Sequence, residues 1–197
     1  MRWLTLYVRS RQVPGTVAAA LTCVVALGLL ATGSGSMMMR HQLVLFAVAT
    51  VAAVAATGLA GADPALDRTA AVCWPIRRTV HVATIGVLAI GALVAFQWVD
   101  QPLVATELLI RNGIGLTGVA ALGATLLGGG LAWCLPMAWT TVAMTTALAA
   151  PEPGAALLTW PVQPPGTAAA TVAAAVLGVS GTAVYAMFGP SLNRTAD

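Results

Sequence analysis

The chain alternates long apolar runs with short polar breaks, and the runs recur at the length of a bilayer crossing. A helix of about 20 mostly apolar residues spans the hydrocarbon. Six such runs are predicted, at residues 15–32, 42–61, 78–98, 103–130, 131–150 and 167–188. The fourth is the least regular, because Glu107, Arg111 and Asn112 fall in its first half and its clean apolar part covers only 113–127. Gly128, Gly129 and Gly130 predict a tight turn into the fifth run, and Gly33-Ser34-Gly35-Ser36 closes the first. The expected fold class is all-α: a polytopic membrane protein of six transmembrane helices, with residues 1–197 forming a single transmembrane domain.

Two segments outside the runs have patterns of their own. In residues 1–12, Trp3, Leu4, Tyr7 and Val8 share one helical face while Arg2, Thr5 and Arg9 share another, which predicts a short interfacial helix. Arginine followed by an apolar run also describes a signal peptide. This run is long for one and lacks a small-residue cleavage site, so it is expected to be retained. Residues 151–166 hold five prolines around the apolar stretch 155–160. That stretch is too short to span and suits a re-entrant or interfacial segment on the outer side. Trp98, Trp139 and Trp160 fit headgroup-level anchors. Small residues recur every fourth position at Ala52, Ala56 and Ala60, at Ala120, Ala124 and Gly128, and at Ala170, Ala174 and Gly178. Such stripes let helix backbones approach where no hydrophobic effect drives association, although alanine is common throughout this chain.

Composition agrees with the pattern: 59% of residues are hydrophobic and 8% charged, against about 25% charged in soluble domains. All nine basic residues are arginine. Without lysine the chain has no Walker A lysine, Schiff-base lysine or lysine general base, so any ATP it uses is bound by another subunit. Cys23, Cys73 and Cys134 are isolated, and His41 and His81 have no partner at metal-ligand spacing, so no metal or catalytic constellation is expected. Arginine placement sets the orientation. With the N-terminus inside, Arg2, Arg9, Arg11, Arg68, Arg77, Arg78 and Arg194 lie on the inner side and only Arg40 and Arg111 on the outer. Both termini are then cytoplasmic.

Two polar clusters are the candidate functional residues. The first is the loop 62–81, placed inside by the arginine bias. Asp63 suits a helix N-cap and Pro64 the first helical position. A short helix over 65–74 is expected, ended by Pro75, which disfavours helical geometry at Trp74. Asp63, Leu66, Asp67, Arg68, Trp74, Arg77 and Arg78 would form a docking surface for a soluble partner. The competing interpretation is a helix in the headgroup layer, with Arg77 and Arg78 serving only as topology anchors. The second cluster is Glu107, Arg111 and Asn112. Glu107 and Arg111 sit four apart, the spacing of a favourable helical ion pair. They would line a gate near the outer mouth, or form an interfacial pair that holds the fourth helix at its depth.

Three stretches carry a resemblance: ADPALDRTAAVCWPIRR in the inner loop, RNGIGLTGVAALGATLLGGGLAWCLP at 111–136, and TWPVQPPG with the last helix ending AVYAMFGP. With them the chain resembles, over nearly its full length, the small six-helix permease subunits of bacterial ATP-binding cassette exporters of actinobacterial type. The resemblance implies a bacterial plasma-membrane protein and a coupling helix at 65–74 that docks on a separate ATPase subunit. It also implies a homodimer or a heterodimer with a second permease, surrounded by membrane lipids. No cofactor is expected in this chain, with ATP and Mg held by the partner, and neither enzyme activity nor nucleic-acid binding is expected. Two other functions remain open on the residues alone: a substrate-binding membrane subunit of an uptake system, and a non-transport scaffold or immunity protein.

Overall fold

A computed structural model describes residues 13–59, 74–97, 103–149 and 157–191. Six α-helices run through them: α1 Val13–Gly33, α2 Met37–Thr57, α3 Trp74–Gln97, α4 Thr106–Leu127, α5 Cys134–Ala149 and α6 Ala168–Phe188. A 3-10 turn, Trp160–Val162, precedes α6. Helices α2, α3, α4 and α6 are long and apolar enough to cross a membrane. The chain thus has the make-up of a helical membrane protein. The predicted interfacial helix at 1–12 and the predicted docking helix at 65–74, all but Trp74, lie outside the described residues.

The fourth run, the least regular in hydropathy, becomes the centre of the bundle. Leu116, Val119, Ala121 and Ala124 of α4 are fully buried, as is Asn112. Its polar residues are accommodated by pointing Arg111 and Asn112 inward, the usual solution for polar groups at membrane depth. Helix α3, by contrast, lies at the edge and exposes Ile76, Val80, Val87 and Leu88.

The closest approach is between α4 and α6. A Cβ on Gly118 would collide with the Leu177 carbonyl, and one on Gly181 with the backbone of Gly118. The two backbones therefore touch with no side chain between them, a contact open only to glycine. Of the predicted small-residue stripes, Gly178 takes part in this crossing, where its Cβ would meet Ile114. Ala120 and Ala124 face elsewhere: with Ala56, Leu59, Val82, Ala132 and Tyr185 they form a separate cluster. The larger cluster gathers Val44, Leu45, Val48, Leu108, Leu109, Leu116 and Trp160.

Predicted boundaries are corrected in three helices. The second begins at Met37, not at residue 42, because Ser36 caps it and the Met-rich residues 37–41 continue the helix, and it ends at Thr57 instead of 61. The fifth helix begins at Cys134, not at residue 131, because 131–133 continue the turn from Gly128. Its 16 described residues rise about 24 Å at 1.5 Å each. Gly128 adopts φ 81°, which lets the chain reverse at once. The third helix begins at Trp74 instead of near residue 78. Pro75 is taken into its first turn, where a missing N–H is tolerated. Trp74, expected as the last residue of the docking helix, thus belongs to α3, and Pro75 lies inside that helix.

At one end of the bundle, side chains bind helix-terminal carbonyls across helices. Tyr185 donates its hydroxyl to Leu59 O at 2.5 Å, and a His81 ring nitrogen lies 3.1 Å from Gly58 O. Arg78 donates to Ala186 O at 3.3 Å, and Ser191 N donates to Ala124 O at 3.1 Å. The last carbonyls of a helix have no intrahelical donor, and these contacts supply them.

Gly118→Val should push α4 from α6 and lower stability by about 1–3 kcal/mol or more. Gly91→Ala, on an open face of α3 with nothing within 4 Å, should leave it unchanged or slightly raised. Thermal unfolding of both variants in the same detergent checks this, and equal melting temperatures would refute the crossing as a close-packed contact.

Candidate functional site

The polar residues of α4 converge on the segment that follows α5. Arg111 and Asn112 sit side by side, 6% and 0% exposed. Arg111 Nε donates to Asn112 Oδ1 at 3.3 Å, Nη1 to Pro164 O at 3.0 Å and Nη2 to Gln163 O at 2.6 Å. Asn112 Nδ2 donates to Pro161 O at 2.8 Å. Two adjacent side chains therefore grip three carbonyls of one short stretch.

The stretch is built to need that grip. Pro161, Pro164 and Pro165 have no N–H, so the segment is rich in acceptors and poor in donors. Within it, Val162 N donates to Thr159 O at 3.0 Å, and the Thr167 hydroxyl donates to Pro164 O at 2.9 Å. The Pro161 and Gln163 carbonyls take their donors from outside, since an unsatisfied buried carbonyl costs about 1–3 kcal/mol, and Pro164 O adds the Arg111 donor to its bond from Thr167. The planar guanidinium fork serves two neighbouring carbonyls at once, which a lysine ammonium does less well.

Trp160 locks the other side. It is fully buried, and its ring lies so close to Gly115 that a Cβ there would overlap it. The prediction of Trp160 as a headgroup anchor is therefore corrected: it is a core residue that fastens the Pro-rich segment to α4. Trp139 is half-buried against the main cluster; Trp98 lies outside the described residues. Pro161 is buried with Trp160, and Val162 is partly buried.

The predicted Glu107–Arg111 ion pair does not form. Glu107 is exposed in the first turn of α4, while Arg111 directs its donors to Asn112, Gln163 and Pro164. Burial and several fixed acceptors outcompete one flexible, solvated carboxylate, whose pairing is worth only about 0.2–0.5 kcal/mol on a helix surface. Beside the clamp, between α4 and α6, lies a groove of about 320 Å³ lined by Glu107, Ile110, Arg111, Ile114 and Thr171, among others.

Of the docking residues, Trp74, Arg77 and Arg78 are described and lie in the first turns of α3. Arg78 stacks 5.7 Å from the Trp74 ring centroid and reaches Ala186 O. Its guanidinium packs on Gly189, whose φ is 71°; glycine there satisfies both the left-handed backbone and the lack of room. Asp63, Leu66, Asp67 and Arg68 lie outside the described residues. No family model matches the chain, and neither do curated proteins or solved structures.

Neither the carbonyl set of Pro161, Gln163 and Pro164 nor the role of Gly115 is among the residues expected from the sequence. The available signal was a donor-rich Arg-Asn pair in an apolar helix together with an N–H-poor segment elsewhere. Each implies the other.

Arg111→Met should cost about 2–4 kcal/mol, because it removes charged hydrogen bonds worth about 1.5–3 kcal/mol each while part of the segment stays packed. Asn112→Leu should cost about 1–3 kcal/mol. Both should speed amide exchange at Val162 and Gln163, whereas Glu107→Gln should leave exchange and melting unchanged. Hydrogen exchange with mass spectrometry reads all three.

Proposed function

We propose that this chain is the transmembrane permease subunit of an ATP-binding cassette exporter, energised by a separate ATPase and working as a homodimer or a heterodimer with a second permease. In this reading both termini and the 62–81 segment face the cytoplasm of a bacterial plasma membrane, and the Arg111 clamp sits at the outer end. The observation that best supports it is the way α3 is fastened at its start. Its first turn continues directly from the polar segment at 60–73 and is tied to α6 through Arg78 and Ala186 O. One turn later His81 reaches Gly58 O, just past α2. Displacement of the loop by an ATPase would thus be carried to α2, α3 and α6 together. That is what a coupling element requires, since a helix moves as a rigid unit when its ends are held by packed contacts.

The exposed apolar faces of α3 and α6, including Val87, Leu88, Val176 and Val179, are available to lipid or to a second protomer. The composition supports the division of labour: a lysine-free chain supplies no Walker A lysine.

Affinity purification of the tagged full-length chain from its native membrane should recover an ATPase with a Walker A motif. Leu66→Asp should lower that recovery about tenfold, equal to about 1.4 kcal/mol of binding, with the helical content of the variant unchanged by circular dichroism. Recovery of no such ATPase, or equal recovery with both chains, would remove the permease assignment or the docking role respectively.

A further inference from the structure

The groove between α4 and α6 has a graded lining. Glu107 lies in the first turn of α4, Arg111 one turn on and Ile114 nearly another turn beyond. Across from them, Thr171 precedes Ala174 and Ala175 along α6. Charge thus sits toward the helix starts and apolar surface deeper along the bundle. Ile110 and Ile114 are 43% and 44% exposed, so the groove opens on the flank of the bundle, where lipid lies in a membrane protein.

The charges bordering it have capacity to spare. Arg111 uses three of its donors on Asn112, Gln163 and Pro164, and a guanidinium has about five. Glu107 forms no ion pair with it, and an exposed carboxylate presents acceptor oxygens only. One anionic and one cationic group one helical turn apart therefore face a single opening, and their charges cancel. The complementary ligand head is also a zwitterion, with its cation for Glu107 and its anion for Arg111.

We propose that this groove binds one phospholipid with a primary-ammonium headgroup. Its ammonium donates to Glu107, its phosphate accepts the uncommitted N–H groups of Arg111, and an acyl chain lies along Ile110, Ile114 and Ala174. A quaternary ammonium cannot donate a hydrogen bond to Glu107, and a phosphatidylglycerol headgroup carries the same phosphate but only neutral hydroxyls, with no cation to balance that carboxylate. The bound lipid would also cover the Pro165–Gly166 corner, which lines the same groove. This inference depends on the membrane character of the chain and not on its partnership with an ATPase.

The test uses the full chain in nanodiscs of equal parts phosphatidylethanolamine, phosphatidylcholine and phosphatidylglycerol, then gentle detergent release and native mass spectrometry. One phosphatidylethanolamine should be retained at least about fivefold over either other lipid, a difference of about 1 kcal/mol. Glu107→Gln should reduce that retention to the phosphatidylcholine level. Ala175→Leu, which fills the groove and leaves both charges intact, should reduce it as well. Both variants should match the parent chain in helical content. Equal retention of the three lipids, preference for phosphatidylglycerol, or unchanged retention in either variant would overturn the proposal.

Discussion

The backbone contact of Gly118 with Leu177 and Gly181 is the constraint on which the remaining structure rests. Lipid tails are as apolar as leucine, so helices in a membrane gain little by burying one another's side chains. They gain by close van der Waals approach, and glycine permits the closest. This contact fixes α4 against α6 and makes α4 the central helix. It thereby sets the register in which Arg111 and Asn112 meet the segment leading into α6. A shift of one residue along α4 would rotate those side chains by about 100° and take their donors away from Pro161, Gln163 and Pro164.

The second organising principle is backbone satisfaction. Away from water every carbonyl requires a donor, and this chain meets that need differently at its two ends. At the α4 start, charged and amide donors serve a segment that prolines have stripped of N–H groups. At the opposite end, Tyr185, His81 and Arg78 reach the carbonyls where α2 and α6 finish. Each cross-helix bond also ties two elements together, so the polar groups that disfavour insertion into lipid also fasten the bundle. The Arg78 contacts are what give the proposed docking segment a mechanical connection to the bundle.

Much of this was legible in the apolar and polar pattern. Run length located the six described helices, with the largest error at α2, whose Met-rich start was expected to be a turn, and smaller ones at the starts of α3 and α5, where a proline was tolerated in a first turn and a glycine turn ran on. The clamp was legible only as a pair of conspicuous residues. Helical spacing suggested that Glu107 would take Arg111, because spacing registers neighbours within one helix and is blind to acceptors about 50 residues away. Trp160 was misplaced for the same reason. Tryptophan near the end of an apolar run fits an interfacial anchor until the glycine that makes room for its ring is known to lie opposite.

The amino-acid sequence by itself determined that this chain is helical and membrane-like, that it supplies no lysine chemistry, and where its helices lie. Those properties follow from hydrophobicity summed over about 20 residues and from residue types present or absent, and they need no partner in space. Only the tertiary structure decided that α4 is the core, that Gly118 and Gly181 form the crossing, and that Arg111 grips Gln163 and Pro164 instead of Glu107. Those outcomes depend on which distant backbone carbonyl arrives within hydrogen-bond reach of a buried donor. That is settled by how closely two helices can pack, a property of the pair that neither helix carries alone.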